Sequence, residues 1–378
     1  MRHSVRIHRY AGLLPTAVAN RETILRIGVP KETKPAEGRV ALVPAAAGDL
    51  VRSGHEVWVE QGAGERSGHA DQAYASLGVQ IAPDAAALYE KGQLIVKVKE
   101  PVGAEIDYLR SDHLLFCYLH LAAEPALTRR LLEVGLTAVA FETVELESGA
   151  LPLLAPMSEI AGKLAVQVGA TLMHATNGGK GRLLGGVPAA SRGKAVVFGA
   201  GQAGGSAAAA LAAMGTNVVV FEKRVERMDA MMRLGANVTA LYPYQESIAK
   251  EVAEADLVIG AVLIPGARAP RMLSREMLRS MAPGSALVDI SIDQGGCFET
   301  SRPTSWDDPT YVVEEVTHFC VGNMPGAVPQ TASQAICAAI APWVDALASV
   351  NWRDNRALMR GINLEAGKLV HPALQDPA

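Results

Sequence analysis

Residues 194–224 read KAVVFGAGQAGGSAAAALAAMGTNVVVFEKR, an order that few folds accommodate. An apolar strand at 195–198 runs into Gly199-Ala200-Gly201-Gln202-Ala203-Gly204, and a helix of small residues follows. A second strand, 217–221, ends on Glu222. Gly199 permits a tight turn, Gly201 lets the backbone approach a pyrophosphate, and Gly204 lets helix and strand pack closely. The amino end of the helix attracts the anion. A carboxylate at position 222 is placed to accept hydrogen bonds from an adenosine ribose. A glycine triplet alone is weak; strand, loop, helix, strand and acid in that order specify a dinucleotide. Glu222 favours NAD over NADP, because a carboxylate repels a 2′-phosphate. Lys223 and Arg224, directly behind it, soften that preference.

The rest of the 378 residues exceeds one typical core, so two domains are expected. Runs at 26–29, 56–60, 94–98, 114–118 and 138–141 suit strands, with helical stretches at 45–53 and 72–77 between them. A long run of small and apolar residues follows position 151, with Ser158 as its predicted N-cap. A second α/β series starts at Lys194, with further strands at 255–262 and 285–290, and the chain turns helical again over 331–349. The predicted fold class is α/β: two Rossmann-like domains with parallel sheets, joined by long helices, with a cleft between them. Residues 25–152 plus 330–378 are expected to form a discontinuous substrate domain, and 153–329 the NAD-binding domain.

Composition removes several function classes. A net charge of -4 and 5% aromatic residues give no footprint for nucleic acid or an anionic membrane. Cys117, Cys297, Cys320 and Cys337 are scattered without a CxxC pair, so neither a metal site nor a disulfide framework is expected. They suit buried thiols in a reducing cytoplasm. No apolar run reaches the ~18–20 residues of a membrane span; Pro342 is expected to break the longest late one. Residues 1–24, rich in arginine with a first acid at Glu22, read as a disordered N-terminal extension or the product of an upstream start codon.

Hydride transfer needs a carboxylate anchor, a polarising cation and a proton carrier beside the cofactor. Lys99 closes LIVKVKEP, where a buried ammonium needs a partner; a bound anion supplies one. Arg39 in EGRVALVP offers a planar fork for a carboxylate. His120 ends LLFCYLHL, and histidine is a side chain suited to proton transfer. Asp293 follows a strand in LVDISIDQGG, whereas Asp289, inside it, suits a structural hydrogen bond. Ligands in open α/β sheets lie beyond the carboxyl ends of strands, so the loops at Val262 and Ile290 are expected to border the nicotinamide.

PKETKPAEGRVALVP, LIVKVKEP, LLFCYLHLAA, LPLLAPMSEIAGK, VVFGAGQAG, AVLIPGARAP, VDISIDQGGCFETSRPT and VGNMPGAVPQT, in this order, resemble the alanine dehydrogenase family. The likeness runs from Leu25 to about Leu374. It implies reversible NAD-dependent oxidation of L-alanine to pyruvate and ammonium by a cytoplasmic homohexamer. It further implies that Arg39 and Lys99 bind substrate and that His120 and Asp293 are the acid–base pair. By the same likeness NAD would contact Ser158, Gly199, Gly201, Gln202, Ala203, Gly204, Glu222, Arg227, Val262, Leu263, Ile290, Asp293, Arg302, Val321, Asn323 and Met324. Glu222 stands where the family usually has aspartate, and Gln330 where it has a basic residue. Two neighbouring readings share the architecture: the NAD-binding hydride-relay component of a transhydrogenase, and an opine-type dehydrogenase.

Overall fold

The computed structural model describes residues 25–262 and 269–375, so the N-terminal extension and Leu263 lie outside the described residues. The chain divides into two compact units: one runs up to Met157 and resumes at Gly326, the other is Ser158–Pro325. In chain order the first unit contributes β1 (Arg26–Val29), β2 (Glu56–Glu60), β3 (Gln80–Ala82), β4 (Leu94–Val96), β5 (Leu114–Cys117) and β6 (Thr137–Ala140). The second contains β7 (Lys194–Phe198), β8 (Asn217–Phe221), β9 (Val238–Leu241), β10 (Leu257–Gly260), β11 (Ala286–Asp289), β12 (Thr310–Val313) and β13 (Val316–Phe319). The chain then returns to the first sheet as β14 (Ile362–Glu365) and β15 (Lys368–Leu369).

The two sheets repeat one winding. The first is ordered β15-β14-β6-β5-β4-β1-β2-β3 and the second β12-β13-β11-β10-β7-β8-β9. In each, the core strands are parallel and reverse direction of progression beside the first strand, the doubly wound order of a Rossmann sheet. The antiparallel pairings are confined to one edge: β14 with β6 and with β15 in the first sheet, β12 with β13 in the second. Continuous apolar runs make strands buried on both faces, as parallel sheets require; Leu94, Ile95 and Val96 in β4 and Ala195 to Phe198 in β7 are fully buried.

Two long helices differ from expectation. Ala155–Leu172 begins a turn before the predicted N-cap, so Ser158 lies inside its first turn and does not cap it. Pro329–Leu347 runs through Pro342, which therefore does not break it. Among the described residues no helix is long and apolar enough to cross a membrane.

Glycine sets how closely helix Gln202–Ala213 approaches its sheet. A methyl group on Gly204 would collide with the carbonyl oxygen of Gly199, and one on Gly199, at φ +91°, would lie 2.7 Å from the Ala261 carbonyl oxygen. Gly204→Ala should therefore push the helix off β7 and cost about 1–3 kcal/mol, the range for an overpacked core. Urea unfolding measures it, and an unchanged midpoint contradicts the packing described.

Candidate functional site

In the second unit predicted cofactor residues follow the carboxyl ends of the parallel strands. Gly199 and Gly201 follow β7, Glu222 follows β8, and Val262 follows β10. Ile290 and Asp293 follow β11, and Val321, Asn323 and Met324 follow β13. Hydrogen bonds tie these loops together. Glu222 Oε2 accepts the Ala200 N–H at 3.0 Å, and Ser291 Oγ donates to the Val262 carbonyl at 2.9 Å. Asp293 Oδ2 accepts from the Asn323 N–H at 3.5 Å. Arg302 packs its guanidinium 4.0 Å from the centre of the Tyr311 ring and donates its peptide N–H to the Tyr311 oxygen.

The loop at the start of helix Gln202–Ala213 fits a pyrophosphate. Gly201 is the N-cap and no side chain caps the helix, so the first-turn N–H groups of Gln202, Ala203 and Gly204 face an anion without competition. A side chain at Gly201 would meet only Arg227 Nη1, 3.9 Å away, which leaves the backbone approachable. Glu222 also holds the loop together from within the chain. Its Oε1 takes the N–H groups of Lys223 and Arg224 at 2.7 and 3.1 Å, and Arg227 Nη1 lies 3.7 Å from Oε2. Burial pushes its pKa up, but the Arg224, Ala200 and Lys223 N–H groups and Arg227 outweigh burial and hold it below its ordinary value. The carboxylate is ionised and the loop is built around it. Asp289 has the structural role expected of it: its oxygens accept from Ser291 N–H, Cys297 N–H and Ser301 Oγ.

In the first unit Arg39, Lys99 and His120 likewise lie beyond the carboxyl ends of parallel strands β1, β4 and β5. Arg39 is buried and held by a residue the sequence did not single out. Glu37 Oε1 accepts Arg39 Nε at 2.6 Å and the Arg39 peptide N–H at 3.1 Å, and Glu37 Oε2 pairs with Nη2. Arg39 Nη1 donates to the Met157 thioether at 3.2 Å, a weak acceptor that a carboxylate outcompetes.

The buried ammonium in LIVKVKEP is Lys97, not Lys99. Lys97 is 1% exposed and its Nζ lies 3.0 Å from Glu32 Oε2 and 3.4 Å from Glu105 Oε1. Burial alone would lower its pKa; Glu32 and Glu105 overcome that and raise it, so the group stays charged. Lys99 is half-buried, and among the described residues no carboxylate lies within ion-pair distance of its Nζ. Glu32 serves both lysines, because its Oε1 accepts the N–H groups of Val98 (2.7 Å) and Lys99 (3.4 Å).

His120 adopts a left-handed conformation, φ +50° and ψ +36°, and its exposed ring stacks on Tyr118 at 5.8 Å and 12°. Tyr118 donates its hydroxyl to the Leu153 carbonyl at 2.6 Å. Glu142 accepts the N–H of His120 at 2.6 Å and that of Leu119 at 3.1 Å. Sequence reasoning missed Glu32, Glu37 and Glu142. Their only signal is position: Glu32 and Glu142 are acids just past predicted strands, and Glu37 stands two residues before Arg39.

The family description "Alanine dehydrogenase/PNT, N-terminal domain" matches residues 28–161, and its C-terminal counterpart matches residues 165–372. The chain belongs to the alanine dehydrogenase/PNT family. An alanine dehydrogenase of Halomonas elongata is 44% identical over 357 residues, covering 93% of this chain and 96% of the relative. A solved L-alanine dehydrogenase superposes with TM-score 0.90 at 48% identity, over 93% of this chain and 98% of that one. A transhydrogenase structure from Sinorhizobium meliloti gives TM-score 0.80 at 28% identity, over 92% and 99% of the two chains.

Removing the charge at Lys97 tests the first unit's network. Lys97→Met leaves Glu32 and Glu105 buried without their cation and should cost about 3–5 kcal/mol of stability. Denaturant unfolding reads this directly; a wild-type midpoint contradicts it.

Proposed function

We propose that this chain is an NAD-dependent L-alanine dehydrogenase that interconverts L-alanine with pyruvate and ammonium. The observation that carries this reading is near full-length similarity to L-alanine dehydrogenase, at 48% identity against 28% for the transhydrogenase. The glycine loop, its uncapped helix and Glu222 support NAD as the cofactor. A cytoplasmic homo-oligomer, a hexamer by family likeness, is the proposed assembly.

NAD, when bound, supplies the acceptor for the hydride on the substrate α-carbon. The chain's residues supply the remainder. Arg39 holds the substrate carboxylate through its planar fork, and Glu37 keeps that fork in plane. Lys99 orients the nitrogen or oxygen on the reacting carbon and stabilises negative charge there. His120 and Asp293 carry protons: one takes a proton from the water that adds to the iminium carbon, and protonation of the nitrogen then expels ammonia. In the second unit the proposed cofactor contacts are Ser158, the glycine loop with Gln202 and Ala203, Glu222, Arg227 and the loop residues after β10, β11 and β13.

With NAD and a panel of small L-amino acids, NADH should appear fastest with L-alanine, and pyruvate should form in equal amount. His120→Ala and Asp293→Asn should each lower kcat by about 10²–10⁴-fold, the usual worth of a proton carrier, and His120→Ala should leave NADH affinity unchanged. Hydride exchange between nicotinamides without pyruvate formation favours the transhydrogenase-type reading. Substantial turnover in either variant removes that residue from its proposed role.

A further inference from the structure

We propose that Glu142 is a positioning residue for the acid–base chemistry: it holds His120 in its left-handed turn by accepting two successive peptide N–H groups. This rests on the reading of His120 as a proton carrier.

Strand β5 ends at Cys117 and pairs in parallel with β6, where Cys117 lies opposite Ala140. Two residues beyond that pair, the turn Phe141–Thr143 carries Glu142 alongside Leu119 and His120. Both Glu142 oxygens reach the Leu119 N–H, at 3.1 and 3.2 Å, and Oε1 also takes the His120 N–H at 2.6 Å. A strand neighbour ordinarily supplies backbone carbonyls for such donors. Here the chain is leaving the sheet, and a side chain takes over. Leu119 is fully buried, so its N–H requires a protein acceptor.

The same contact accounts for the backbone of His120. A left-handed residue other than glycine is costly, and such conformations persist only where the surroundings impose them. Both N–H groups converge on one carboxylate, which an extended chain would present on opposite sides. The turn leads at once into Leu121–Ala123, where the Ala123 N–H donates to the His120 carbonyl and the Glu124 N–H to the Leu121 carbonyl, and the His120 ring lies nearly parallel to that of Tyr118. The other two substrate residues are treated alike: the N–H of Arg39 is taken by Glu37 and that of Lys99 by Glu32. Glu142 differs in that its contacts go to the main chain and none to the ring that would move the proton.

The test uses Glu142→Leu, which removes both acceptors, Glu142→Gln, which keeps a carbonyl oxygen without charge, and His120→Ala with the double variant. Glu142→Leu should lower kcat for alanine oxidation about 10²-fold, the scale of a misplacement near 1 Å, with NADH affinity unchanged. Glu142→Gln should recover most of the loss and leave the midpoint of the pH profile where it is. In the His120→Ala background Glu142→Leu should add no further loss. Glu142→Asp, one methylene short of the N–H groups, should reproduce the Glu142→Leu defect and replaces it if the leucine variant does not fold. Wild-type kcat in Glu142→Leu overturns the proposal. So does a Glu142→Gln enzyme as impaired as Glu142→Leu with a displaced pH profile, which would make Glu142 act through its charge. A fully active His120→Ala enzyme instead sinks the reading of His120 beneath it.

Discussion

Glutamates in the segments that follow parallel strands β1 and β6 organise the first unit, Glu32 and Glu37 buried and Glu142 half-buried. Glu32, Glu37 and Glu142 each accept main-chain N–H groups where the sheet's own carbonyls run out. Two of them also hold a buried cation, Lys97 and Arg39. A carboxylate in that setting is costly unless every lone pair is used, and the chain uses them on the backbone that carries Arg39, Lys99 and His120. Sheet termination and the proposed substrate residues therefore share one set of interactions.

The second unit solves the same geometric problem for a different ligand. There the unsatisfied donors belong to the start of a helix and are left open, while Glu222 stabilises the loop from behind. One doubly wound strand order thus carries the proposed anion sites of both units, made of side-chain cations in one and of peptide N–H groups in the other. Such sheets bind beyond the carboxyl ends of their strands, and every proposed site residue that follows a strand lies there.

Much of this was legible in the sequence where local pattern decides the outcome. β1, β2 and β8 fall on the predicted residues, because continuous apolar runs bounded by turns admit few alternatives. The short strands β3 and β9 escaped notice: Gln80-Ile81-Ala82 is too brief to show a period, and β9 interleaves Thr239 with apolar residues. Ser158 shows the limit of capping rules, since the helix starts at Ala155 ahead of Pro156 and the proline suits a first turn. Lys97 shows a deeper limit. Its partners Glu32 and Glu105 are set by the register of β1 against β4 and by the turn Gly103–Tyr108, long-range facts that no local spacing encodes. For the same reason Glu142 is silent in sequence: its ligands are the N–H groups of residues more than 20 positions earlier.

The most direct measurement is a crystal structure with pyruvate bound. The pyruvate carboxylate should lie on the Arg39 guanidinium and its oxo group beside Lys99 Nζ, with Glu37 and Glu32 still on their present partners. Pyruvate seated elsewhere, or Arg39 and Lys99 turned away from it, removes both residues from substrate binding.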